Sequence, residues 1–211
     1  MKISVYLLLL SATLFSGCLG CKNDCETYGP LTFDLPLQAY GIRDTLHIGD
    51  TLRIRLDIPD QMPERSSGYM YDFIDYNFRL ITYMSRVDST VDYPNSNAYG
   101  YWIPVEGESK YVDGVYFVLP EYKDRKYQYE ILYTPKTKGL FEFGMNSDYF
   151  RLSPLAKLEG PCSSRPVDVF MKLTNDTNVN YEFLKTSPNT IYQNIDRKRF
   201  DEYAGFCFYV R

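Results

Sequence analysis

The chain has 211 residues and a net charge of −4, and it contains 21 Tyr and 13 Phe. A mildly acidic chain of this length can bury a sizeable core, and without a basic cluster it is a poor candidate for a nucleic-acid partner. Aromatic and β-branched residues fit pleated sheets, so the composition predicts an all-β protein.

The first 17 residues have the pattern of a signal peptide. Lys2 supplies a short positive region, and the apolar run from Ile3 to Phe15 leads into the small residues Ser16 and Gly17. This run is too short to span a bilayer comfortably. We therefore predict that residues 1–17 are a signal peptide and exclude them from the fold.

Three cysteines follow this leader, namely Cys18, Cys21 and Cys25. A structural zinc site needs four donors, and the chain has a single histidine, His47. The C-x-x-C spacing of Cys18 and Cys21 also lacks the βαβ context of a redox motif. We therefore predict no metal site and no cofactor.

The run LFSGC from Leu14 to Cys18 resembles a bacterial lipobox, in which a cysteine is acylated and becomes the new N-terminus. Phe15 stands where Leu is more common, as in the relaxed lipoboxes of Bacteroidetes. The resemblance implies a Bacteroidetes-type lipoprotein acylated at Cys18, with residues 18–27 as a lipidated tether. It also implies membrane lipid as a partner and an outer-membrane location in the cell envelope. The run KNDCE from Lys22 to Glu26 resembles a surface-export signal, but the side of the membrane stays open.

Cys21 is a competing lipidation site. If Cys18 is acylated, four cysteines remain, an even number that an oxidising envelope can pair. If Cys21 is acylated, Cys18 is lost with the leader and three cysteines remain, so an even count favours Cys18. The disulfide candidates are Cys21, Cys25, Cys162 and Cys207. They allow three connectivities, of which we favour Cys162 with Cys207; the alternative is that Cys207 is a small core residue.

Alternating apolar residues predict strands along most of the chain. The clearest alternation, Leu52, Ile54, Leu56 and Ile58, lies within TLRIRLDIP at 51–59. Further strands are predicted at 46–48, 75–84, 115–119, 127–133, 140–143, 167–173 and 206–210. Because no long helical period separates them, this spacing favours a β-sandwich.

The run LHIGDTLRIRL at 46–56 resembles the opening of immunoglobulin-like domains in Bacteroidetes surface lipoproteins. The resemblance implies an immunoglobulin-like β-sandwich, which we place at residues 28–155. Residues 160–211, with single helical turns at 181–185 and 197–203, are predicted to be a small C-terminal α+β extension that packs on the sandwich or completes it.

No arrangement of residues indicates catalysis. His47 lies in a strand-like run without a nucleophile motif. Of the paired carboxylates, Asp72 and Asp75 fall on opposite faces of a strand, and Glu106 and Glu108 flank Gly107 in a predicted hairpin loop, so neither pair points to a glycosidase. We therefore predict no catalytic residue and no enzyme activity.

A candidate ligand-binding surface is formed by Tyr99, Tyr101 and Trp102, which lie between turn residues. Exposed aromatic rings can stack on sugar rings, but in so aromatic a chain core packing is the alternative. Separately, DTL at 44–46 and 50–52 and DST at 88–90 resemble Bacteroidetes O-glycosylation acceptors, which implies modification at Thr45, Thr51 and Ser89.

The sequence thus predicts a lipid-anchored cell-envelope protein with a binding or scaffolding role. Two alternatives follow from particular segments. A glycan-binding accessory lipoprotein rests on the aromatic run at 99–102, and a fimbrial-type subunit rests on the strand-like C-terminus at 206–210. Beyond membrane lipid, the candidate partners are therefore a glycan or an envelope protein.

Overall fold

The computed structural model describes residues 29–90, 96–147, 158, 166–175 and 179–211. These residues are mostly β, with a few short helices, which confirms the predicted fold class at that level. The strands form two six-stranded sheets and a two-stranded ribbon.

The first sheet contains parallel and antiparallel pairs. Its strands are β1 (Leu31–Tyr40), β3 (Leu52–Pro59), β7 (Gly100–Glu106), β10 (Glu121–Lys123), β11 (Lys126–Pro135) and β13 (Val167–Leu173). They are ordered β10-β11-β3-β1-β13, and β7 also pairs with β11. β13 lies parallel to β1, with Pro36 opposite Lys172.

The second sheet is ordered β2-β14-β12-β6-β9-β8. Its strands are β2 (Thr45–Leu46), β6 (Leu80–Arg86), β8 (Glu108–Val112), β9 (Val115–Leu119), β12 (Gly139–Ser147) and β14 (Phe206–Val210). β14 is an interior strand, antiparallel to β12 on one side and parallel to β2 on the other. The residues after position 160 therefore contribute one strand to each sheet.

The remaining elements are short. The ribbon pairs β4 (Gln61–Pro63) with β5 (Met70–Asp72). The described helices are α1 (Ser96–Tyr99), a 3-10 turn (Tyr181–Thr186), α2 (Thr190–Gln193) and α3 (Arg197–Glu202).

One hydrophobic core joins the two sheets. The predicted alternation in β3 is confirmed, since Leu52, Ile54, Leu56 and Ile58 are all fully buried. They lie in the same cluster as side chains of the second sheet, such as Phe143. Side chains at alternate positions of a strand point to one face, so each sheet gives one face to this shared core.

A second apolar cluster lies on the other face of the second sheet. Leu140 of β12 and Cys207 of β14 pack with Leu184, Tyr192 and Phe200 from the C-terminal turns and helices. β12 is consequently buried on both faces, as its burial pattern indicates.

One predicted strand begins later than expected. The pattern at 75–84 predicts a strand from Asp75, but β6 starts at Leu80. Asp75 has φ 62, a left-handed conformation that interrupts a strand. Tyr76 and Phe78 still face the interior, where they pack with Phe73 at ring distances of 5.2 and 5.5 Å.

Candidate functional site

A groove of about 630 Å³ lies between β13 and α3, and we call it the β13–α3 groove. Its walls come from four separate parts of the chain. They are Asp34 of β1, Arg65 of the β4–β5 loop, Met171 and Lys172 of β13, and Arg197, Lys198, Asp201 and Glu202 of α3. The groove is thus lined by four cationic and three anionic side chains.

Arg65 is held in place from three sides. Its Nε donates to Asp34 Oδ1 at 3.1 Å and its terminal nitrogens donate to Asp34 Oδ1 and to Glu202 Oε1. Its guanidinium carbon lies 4.4 Å from the centre of the Phe170 ring. The hydrogen bond with Asp34 raises the pKa of Arg65. This guanidinium ties β1 to α3 and forms a fixed wall of the groove.

The loop that carries Arg65 is organised by the buried carboxylate of Glu64. Its Oε2 accepts hydrogen bonds from the backbone N–H groups of Ser66 at 2.9 Å and Ser67 at 2.6 Å, and its Oε1 accepts from Thr32 Oγ1 at 3.0 Å. Burial alone would raise the pKa of Glu64, but the bonds from Ser67 and Thr32 lower it to about 2. The ionised carboxylate therefore stabilises the loop and, through it, the position of Arg65.

The α3 side of the groove carries its own ion pairs. Asp196 caps the helix, because its side chain accepts a hydrogen bond from the backbone N–H of Arg199 at 2.8 Å. Arg197 Nε donates to both oxygens of Asp201, at 2.8 and 2.9 Å. Lys198 Nζ lies 3.9 Å from Glu202 Oε1.

Lys172 differs from the other cations of the groove. Within the part of the chain that the structure describes, its exposed side chain makes no ion pair, and it lines the groove together with Arg197. The carboxylates of Asp34, Asp201 and Glu202 each accept hydrogen bonds from an arginine. Among the lining residues the acids are thus engaged and one cation is in excess, an arrangement that suits binding of a charged ligand.

The predicted aromatic surface is divided in the structure. Trp102 is 8% exposed and packs on Tyr133 and Tyr116, with ring centres 4.7 and 5.2 Å away. Tyr101 is 59% exposed on the opposite face of β7. Tyr99 is half-buried, with its ring 5.3 Å from that of Phe141. The three side chains therefore do not form one platform.

The cysteine predictions are only partly within the described residues. Cys207 is fully buried in β14, and burial raises the pKa of its thiol. Among the described residues this thiol is free. Cys18, Cys21, Cys25 and Cys162 lie outside the described residues, so the lipidation site and the pairing of Cys162 with Cys207 stay predictions.

The three predicted O-glycosylation acceptors differ in exposure. Thr51 is exposed, and its Oγ1 lies 3.3 Å from Thr134 Oγ1. Thr45 and Ser89 are half-buried. Of the three, Thr51 has the side chain most accessible to a modifying enzyme.

Metal ligands and membrane-spanning helices were the remaining features that a site could involve. In the ranges given above, no three His, Cys, Asp or Glu side chains come together as metal ligands would. Nor does any described helix combine the length and the apolar character that crossing a membrane requires.

Comparisons with known proteins give distant structural similarities. No protein-family model matches the chain, and no curated protein matches it at a significant level. The chain is similar to crystal structures of the human F-spondin reeler domain at 12% identity. The first has a TM-score of 0.35, and the match covers 58% of this chain and 84% of the F-spondin chain. The second has a TM-score of 0.34, and the match covers 57% of this chain and 78% of the F-spondin chain. A structure of the Reelin-N domain of F-spondin is 11% identical, with a TM-score of 0.31, and covers 72% and 91%. Similarities this distant support no inference about function.

Proposed function

We propose that this chain is a lipid-anchored protein of the cell envelope whose β-domain has a non-catalytic binding or scaffolding role. The observation that carries the proposal is the order of the leader: a positive residue, an apolar run, small residues and then Cys18 in LFSGC. Acylation of this cysteine would fix the chain to the outer membrane and leave the folded part in water.

For the folded part we propose an immunoglobulin-like β-sandwich with a C-terminal α+β extension. Its support is that the two sheets share one core and that the C-terminal turns and helices pack around a second cluster. The β13–α3 groove is the candidate binding site of this domain, because Arg65, hydrogen-bonded to Asp34 and Glu202, fixes one wall before any ligand arrives.

The experiment is metabolic labelling with an alkyne fatty acid in a Bacteroidetes host. We expect the wild-type chain to incorporate the label, Cys18→Ala to lose it and to accumulate as precursor, and the matched variant Cys21→Ala to keep it. Globomycin, which blocks lipoprotein processing, should also cause the wild-type precursor to accumulate. Unchanged labelling of Cys18→Ala would overturn the proposal.

A second candidate function, glycan binding, is favoured by one observation, the exposure of the Tyr101 ring. Trp102 is enclosed by Tyr133 and Tyr116, so the informative variant on a glycan array is Tyr101→Ala. Binding by the wild type that Tyr101→Ala reduces would support this function, and no binding by either would remove it. The fimbrial alternative gains no such support, because β14 pairs with β12 and β2 of its own chain.

A further inference from the structure

We propose that the β13–α3 groove binds the acidic group of a small ligand, a carboxylate, phosphate or sulfate, between Lys172 and Arg197. This inference rests on the proposed binding function and names the class of ligand that the site would take. It follows from the charge balance of the groove, from unused hydrogen-bond donors and from the shape of the cavity.

The charge balance leaves a cation in excess. Arg65 donates to both Asp34 and Glu202, while Arg197 donates to Asp201. The three carboxylates are thereby engaged, and the charge of Lys172 is left without an ion-pair partner among the described residues. Among the residues that line the groove, this leaves one positive charge in excess, which favours an anion. Glu182, outside the lining, also acts electrostatically on Arg197, so the anion would be held chiefly at Lys172 and at the free donors of Arg197.

Arg197 keeps donors for a ligand. It holds Asp201 through Nε alone, at 2.8 and 2.9 Å, and its guanidinium carbon lies 5.3 Å from the centre of the Tyr181 ring. Within the described ranges its two terminal nitrogens make no hydrogen bond. A guanidinium with its terminal nitrogens available can bind a carboxylate or phosphate through two parallel hydrogen bonds. Lys172 would add a point charge from the facing strand.

The position of these two side chains leaves space for the rest of the ligand. Lys172, Arg197 and Asp201 line both the β13–α3 groove and a neighbouring cavity of about 340 Å³. The neighbouring cavity is also lined by small residues, Ala204 and Gly205. A volume of about 630 Å³ is in the range of small-molecule sites, so a ligand of sugar or nucleotide size can be accommodated.

The test uses the full chain, labelled with ¹⁵N and kept in mild detergent, with the arginine Nε–H signals as local probes. Inorganic phosphate, inorganic sulfate and D-glucuronate are titrated at constant ionic strength, and neutral D-glucose is the control. We expect a saturable shift of the Arg197 signal with at least one of the three acids and none with glucose. The acid that binds most tightly identifies the acidic group.

Variants assign the effect to the groove. Lys172→Gln should weaken binding about tenfold, as expected for loss of one charged hydrogen bond. The exposed Lys110 on β8 provides the matched control, and Lys110→Gln should leave the affinity unchanged. Asp201→Asn should tighten binding, because it removes the competing carboxylate from Arg197.

The absence of a saturable shift with all three acids, or equal affinity of Lys172→Gln and wild type, would overturn the proposal. Fatty-acid labelling of Cys18 tests the proposed function independently of this titration. Failure of the anion-binding proposal can therefore be distinguished from failure of the proposed function.

Discussion

Glu64 accepts a 2.6 Å hydrogen bond from the backbone N–H of Ser67, and the carboxylate that makes this bond is almost fully buried. The backbone of the same loop is joined to β1, because the Arg65 N–H donates to the Thr32 carbonyl at 2.8 Å. Arg65 therefore reaches the β13–α3 groove from a loop that is fixed at both its side-chain and its backbone contacts.

We predict that Glu64→Gln destabilises the fold by about 2–3 kcal/mol at pH 7. The pKa of Glu64 is about 2 in the folded chain and near 4.5 in an exposed one. Because the folded value is the lower, this stabilisation is complete above the unfolded pKa and is lost as the pH falls from about 5 toward 2. Urea unfolding of wild type and variant at pH 7 and pH 3 measures it, and the two curves should approach each other at pH 3. Glu108→Gln, at an exposed position, is the control; an equal effect of both substitutions at pH 7 would contradict the account.

Gly100 is expected to tolerate no side chain. A Cβ at this position would lie 2.3 Å from Cε2 of Tyr133, whose ring is fully buried. Gly100→Ala should therefore lower the free energy of unfolding by about 1–3 kcal/mol, the usual cost of overpacking. Gly29→Ala is the control because, among the described residues and its chain neighbours aside, no atom lies within 4 Å of its added Cβ. Equal thermal midpoints for the two variants would show that the contact with Tyr133 is wrong.

Trp102 and Tyr101 should differ in their contribution to stability although they are adjacent. Trp102→Ala removes a buried ring and should cost about 3–5 kcal/mol. Tyr101→Ala removes an exposed ring and should change the free energy of unfolding by less than about 1 kcal/mol, since its described partner is Lys136 at 4.9 Å. Denaturant titration of the two variants checks this difference, and a larger loss from Tyr101→Ala would reverse the assignment of the faces of β7.

Cys207 should be chemically inert while the chain is folded and reduced. Its thiol is enclosed in the second apolar cluster and burial raises its pKa, so little reactive thiolate forms. Mass spectrometry after brief alkylation at pH 8 should find Cys207 unmodified, with full modification after unfolding in guanidinium. Rapid alkylation in the folded state would contradict the burial of β14.

The alternation of apolar residues predicted individual strands, whereas the β13–α3 groove depends on the pairing of strands that are distant in the sequence. The alternation in 52–58 identified β3 and its buried face because side-chain direction in a strand has a period of two. Nothing local brings Asp34 and Lys172 to one groove. Both line it because β13 lies parallel to β1, with Asp34 opposite Phe170 and Pro36 opposite Lys172. The i,i+4 pair of Arg197 and Asp201 was the available signal, but it indicates only a helix surface.

The aromatic run illustrates the same limit. The turn residues around 99–102 left both a binding surface and core packing open, and the structure divides them: β7 begins at Gly100, so Tyr101 and Trp102 point to opposite sides of the sheet and Trp102 packs in the core. In the same way, the apolar pattern predicted a strand from Asp75, but the positive φ of Asp75 interrupts it and β6 begins at Leu80.

The most direct measurement of the central claim is the mass of the N-terminal tryptic peptide of the chain purified from the cell envelope. Acylation at Cys18 predicts a peptide that starts at Cys18 and ends at Lys22, with the added mass of a diacylglyceryl group. A peptide that starts elsewhere, or Cys18 without lipid, would contradict the account, and an acylated N-terminus at Cys21 would move the anchor to the competing site.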